Sequence, residues 1–126
     1  MGKDLHRSIL DFFHDTVGSH HNVKSMEDIS TSNSYIFQIN RQRGMTPVIV
    51  YLSDAYYHSD IDYHKRPAEL NDGGFILIAK PESHFSKEDQ MNYPEEKIII
   101  GKIGILLGAL KMEDFWNYER PKKKQP

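Results

Sequence analysis

The sequence predicts a small α/β or α+β domain. A mixed sheet of three to four strands is expected to pack against an N-terminal helix and a C-terminal helix. Three observations carry this expectation. Residues 5–17 repeat apolar side chains at helical spacing. Three short apolar runs, at 34–40, 47–52 and 74–80, are rich in β-branched and aromatic residues. A last apolar stretch, Ile98 to Leu110, mixes isoleucine, leucine and glycine. The chain has 126 residues, enough for one hydrophobic core and short for two. A single domain over 1–119 with a basic tail over 120–126 is expected.

The first helix places Leu5, Ile9, Phe12, Phe13 and Val17 on one face, with Asp4 as its N-cap and Gly18 as its stop. Residues 19–34 are polar and read as a loop with one turn near 25–29. In Ser34–Asn40, Tyr35, Phe37 and Ile39 share a face. Pro47–Leu52 is apolar on both faces, as a covered central strand is. The short link Arg41–Thr46 favours an antiparallel hairpin between these two strands. A long polar loop over 53–74 leads to Gly74–Lys80, which Pro81 ends by removing a ladder donor. Ser86–Asp89 reads as the cap of a short turn.

Pro94, Glu95 and Glu96 suit a helix start, so a helix over Pro94–Leu110 is expected. Ile99, Ile103, Leu106 and Leu110 form its stripe, and Ile100 and Leu107 widen it. Gly101, Gly104 and Gly108 cost helix propensity and imply close packing. The competing assignment makes Lys97–Gly101 a strand and starts the helix later. Met112–Tyr118 reads as a short aromatic helix.

Composition excludes several classes of chemistry. The chain contains no cysteine, which removes disulfides, thiolate metal sites and cysteine nucleophiles. Its net charge is −2, unlike that of a protein that coats nucleic acid. The longest apolar run has 13 residues and includes Lys102, against about 20 needed to cross a bilayer. The first residues lack an apolar signal core, and His6 stands where a myristoylation signal carries a hydroxyl. A cytoplasmic location without membrane contact is expected. Phosphate-binding glycine loops and nucleophile elbows are lacking too.

The densest polar cluster lies in the 53–73 loop. His58, Asp60, Asp62 and His64 alternate, so in an extended segment all four side chains point one way. That arrangement suits a Mg, Mn or Zn ligand set, and it equally suits a solvated, pH-sensitive loop. Tyr56, Tyr57 and Tyr63, with Lys65 and Arg66, offer stacking and phosphate contacts to a single strand, or the anchors of a protein interface. Arg41 and Arg43 on the hairpin turn are further candidate phosphate contacts. His20 and His21 form a pair with no partner legible in the sequence.

The order helix, strand, strand followed by Asp54, strand ending in Lys80, helix resembles the core of restriction-endonuclease-like, PD-(D/E)XK, nucleases. The resemblance is one of topology over residues 4–110. It implies Mg²⁺ held by Asp54 and a second acid, with Lys80 supporting the attacking water. The position two before Lys80 is Ile78 rather than an acid. Glu82 is the substitute the resemblance leaves, with Asp11 or Asp15 as a further carboxylate.

Two functions follow as expectations. The first is a small non-enzymatic binding or accessory domain without a cofactor. It displays the 53–73 loop to a protein partner or to a second copy. The alternative is a metal-dependent nuclease, or an inactive relative that binds nucleic acid weakly.

Overall fold

The computed structural model describes residues 5, 7–32, 34–53, 67–79 and 90–119. The elements run α1 (Arg7–Gly18), β1 (Val23–Asp28), β2 (Tyr35–Arg41), β3 (Val48–Ser53), β4 (Gly74–Ile78), β5 (Gln90–Tyr93), β6 (Ile98–Gly101) and α2 (Ile103–Ala109). The strands form one mixed sheet of six in the order β1-β2-β3-β4-β6-β5. β1, β2 and β3 are an antiparallel meander. β4 runs parallel to β3, and β6 parallel to β4. β5 closes the far edge antiparallel to β6.

The mixed helix-and-sheet class is as expected, with six strands rather than three to four. β1 was legible only as polar loop. Its burial alternates poorly (Val23 buried, Met26 half-buried against the core, Lys24, Ser25, Glu27 and Asp28 exposed), because it is an edge strand. A bulge between Val23 and Ser25 and the charges of Lys24, Glu27 and Asp28 blunt that edge against further pairing.

The expected helix over 94–110 is corrected. Pro94–Glu96 form one 3-10 turn, and Lys97 enters the left-handed region at φ 59°. Ile98–Ile99–Ile100 then form a strand, buried on both faces between β4 and β5. β-Branching favours this outcome, since isoleucine loses rotamer freedom in a helix and packs well on a pleat. The helix begins only at Ile103, as the competing assignment had it. Met112–Tyr118 likewise supplies a single 3-10 turn, Phe115–Asn117, rather than a longer helix.

The two helices of the described residues lie on one face of the sheet. Their shared core joins Phe13 and Val17 of α1, Phe37 and Ile39 of β2, Val48, Val50 and Leu52 of β3, Phe75 and Leu77 of β4, Ile99 of β6, and Ile105, Leu106 and Ala109 of α2. Phe12, expected on the buried face of α1, is instead 57% exposed; its neighbour Phe13 takes the core position. Gly18 ends the helix without a left-handed cap: Ser19 N–H still bonds the Asp15 carbonyl at 3.2 Å. The opposite face carries a smaller cluster of Leu70, Ile76, Ile78, Ile98 and Ile100.

Two glycines hold the junction into β4. Gly73 has φ +111° and Gly74 φ +155°. A Cβ on Gly74 would lie 2.5 Å from the Ile49 carbonyl oxygen, and one on Gly73 would lie 2.8 Å from that of Lys97. Gly101 and Gly108 show the close packing expected of the small residues. A Cβ on Gly101 would lie 2.8 Å from Ile105 Cβ, and one on Gly108 would run into the ring and hydroxyl of Tyr118.

Candidate functional site

Three parallel strands, β3, β4 and β6, end on the same edge of the sheet. Ser53 and Ile78 are register partners there, and Ala79 N–H donates to the Ser53 carbonyl at 3.2 Å. The connections at 54–66 and 80–89 therefore leave the sheet from neighbouring points. In open sheets with parallel strands, ligands gather beyond the carboxyl ends, because the connecting loops converge there.

Most sequence-stated candidates belong to those connections. Asp54, Tyr56, Tyr57, His58, Asp60, Asp62, Tyr63, His64, Lys65 and Arg66 lie outside the described residues, as do Lys80 and Glu82. The caps proposed at Asp4 and Ser86–Asp89 and the tail 120–126 also lie outside them. β4 ends at Ile78, two residues before Lys80. Asp11 is exposed on α1, 4.0 Å from Arg7 one turn earlier. Among the described residues no group of three or more His, Asp or Glu is gathered so as to hold a metal ion.

The two arginines of the hairpin turn have different surroundings. Arg43 is exposed, with its backbone in the left-handed region at φ 61°. Arg41 is only 4% exposed. Its Nε donates to the Thr46 carbonyl at 2.8 Å, its Nη1 to those of Leu110 and Met112 at 3.3 and 2.6 Å, and its Nη2 to that of Glu113 at 3.3 Å. The guanidinium thus ties the end of β2 to the chain that follows α2 and is not presented to a phosphate at the surface. Burial draws its pKa down, opposed by the nearby Glu113 carboxylate. Glu113 in turn accepts from Thr46 N–H at 3.0 Å and from the Thr46 hydroxyl, and these bonds hold its carboxyl below the usual carboxylate range.

A concave site elsewhere among the described residues was not legible in the sequence. A groove of about 630 Å³ is lined by His20, His21, Gly104, Leu107, Gly108, Lys111 and Tyr118. It lies where the α1–β1 turn meets α2 and the segment after it. His20 Nδ1 accepts from Asn22 N–H at 3.0 Å, so Nε2 carries the proton and donates to the Leu107 carbonyl, also at 3.0 Å. Burial is the largest influence on His20 and draws its pKa down; the Leu107 bond opposes this, and His21 and Lys111 add to it. The His21 ring stacks on His20 with centroids 4.7 Å apart and planes 17° from parallel. Asn22 completes the junction by donating to the Leu110 carbonyl at 2.8 Å.

Only the adjacent histidines hinted at this site. Its other members come from positions 104–118, more than eighty residues along the chain, and meet His20 only because α1 and α2 share one sheet face. Compared with protein-family models, with curated proteins and with solved structures, the chain matches none of them.

Proposed function

We propose that this chain is a non-enzymatic binding domain whose contact surface lies at the carboxyl edge of its parallel strands. The observation that carries this reading is the register Ser53↔Ile78 in parallel β3 and β4. It makes one rigid edge the origin of both long connections. A sheet buried on both faces at that point is a firm platform, and recognition residues are commonly held on loops over such platforms. The tyrosine-rich 53–73 loop supplies side chains suited to anchoring a protein partner: large, rigid and amphipathic.

The test is a loop variant, Tyr56→Ala with Tyr57→Ala and Tyr63→Ala, against the native chain. A partner protein captured by the native chain is re-made pure and its affinity for both forms measured. The reading expects at least a hundredfold loss in the variant with an unchanged melting temperature. Equal affinity of the two forms removes the loop as the contact surface.

The same register supports a second reading. Asp54 follows Ser53, and Lys80 follows Ala79, whose N–H bonds Ser53. An acid and a lysine leaving from paired strand ends suit the nuclease-like arrangement, with Asp54, Glu82 and Lys80 as its candidate residues and Mg²⁺ as its metal. Its alternative form is weak, salt-sensitive binding of a single strand without cleavage. A labelled oligonucleotide incubated with and without Mg²⁺ separates the readings. Mg²⁺-dependent cleavage that Asp54→Ala abolishes makes the chain an enzyme. Neither cleavage nor binding at low salt leaves the protein-binding reading.

A further inference from the structure

We propose that the groove between the α1–β1 turn and α2 binds a small phosphate monoester. Its size falls within the range of small-molecule sites, at about 630 Å³. Among the described residues, the side chains lining it are two imidazoles, one ammonium, one phenol and one leucine, with no carboxylate. This is a basic lining on a chain of net charge −2. Lys111 and His21 are exposed and supply the charge and the N–H donors. The Tyr118 ring lies against Gly108 and forms a wall, and the helix floor at Gly104 and Gly108 carries no side chains to fill the groove.

One objection to an anion here is the helix C-terminus, whose free carbonyls repel negative charge. In this fold those carbonyls are occupied. The Leu107 carbonyl accepts from His20 Nε2, and that of Leu110 accepts from Asn22 and Arg41. The Gly108 and Ala109 carbonyls accept from the N–H groups of Lys111 and Met112. His20 therefore acts as a positioning residue: both its nitrogens are committed, and it holds the His21 ring by stacking. His21 and Lys111 are left to meet the ligand. Among the described residues, the charged and titratable groups lining the groove are His20 and His21 from the turn, Lys111 after α2, and Tyr118 from the closing segment.

The experiment is a two-dimensional amide NMR titration of the full chain with inorganic phosphate and then with phenyl phosphate. Benzoate tests whether a carboxylate suffices. The proposal expects saturable shifts centred on residues 20–21, 104–111 and 118. Phenyl phosphate should bind more tightly than phosphate, and benzoate more weakly. Lys111→Ala with His21→Ala, both at exposed positions, should weaken binding at least about tenfold without changing the fold, since charge-assisted hydrogen bonds are lost. No saturation with phosphate at tens of millimolar overturns the proposal. Shifts centred elsewhere, or equal binding by the double variant, also overturn it. None of these outcomes depends on the 53–73 loop.

Discussion

The two halves of the sheet are built on different terms. In the antiparallel half, β1 and β2 bury one face beneath α1 and leave the other partly open. There Gln38 donates to Asn40 at 2.9 Å, and Asn40 donates to Ser25 at 3.0 Å, a short amide ladder in contact with solvent. In the parallel half, every residue of β4 and β6 is buried. α2 covers one side, and Leu70 packs against the isoleucines of the other. Parallel strands are normally covered on both faces, so their sequences lose the polar alternation that marks a half-exposed strand. Stability should therefore concentrate in the parallel half, while the antiparallel half tolerates change on its open face.

Cavity formation should break that comparison most clearly. Phe75→Ala, in the centre of the parallel half, should cost about 3–5 kcal/mol by denaturant unfolding. Leu106→Ala, at the contact of α2 with the sheet, should cost about 2–5 kcal/mol. A loss below about 0.5 kcal/mol at either position would show that the helix does not seal the parallel half.

Arg41 sharpens the comparison, because it lies in the antiparallel half yet on its buried face. Arg41→Met keeps much of the volume and removes the donors to four carbonyls. It should cost about 2–3 kcal/mol, the scale of lost charge-assisted bonds. Arg43→Gly, two residues on at a positive φ, should leave the melting temperature unchanged or slightly raised. On the open face, Asn40→Ala should cost no more than about 1 kcal/mol.

The smallest expected effect is one of pH. The folded-state pKa of His20 is lowered, so the unfolded chain takes up its proton first as pH falls. Stability from the His20 clamp is fully present above the ordinary histidine value of about 6.5 and is lost as pH falls from there through the folded value. Thermal melts at pH 8 and pH 5.5 should show a drop that His20→Gln reduces. An identical pH response in the variant would assign the drop to other groups.

Legibility in the sequence followed the same division. The β2–β3 hairpin was readable because its aromatic and β-branched residues stand on either side of a short polar turn. β4 was readable as an apolar run closed by Pro81. β6 reads either as the start of the following helix or, in the competing assignment, as a strand. Ile99, Ile103 and Leu106 satisfy helical spacing as well as strand burial, and local pattern does not separate a doubly buried strand from a buried helix. Arg41 resembled any arginine on a turn, since its acceptors lie some seventy residues away.

By itself the sequence determined the mixed helix-and-sheet class, the hairpin, the first helix and the absence of cysteine chemistry. Each of these rests on local spacing or on composition. Only the tertiary structure decided that β3, β4 and β6 run parallel. It likewise decided that Ser53 and Ile78 share an edge, that Arg41 is consumed internally and that His20 meets Leu107. These depend on contacts between distant segments, whose pairing is chosen by the packing of the sheet against α1 and α2.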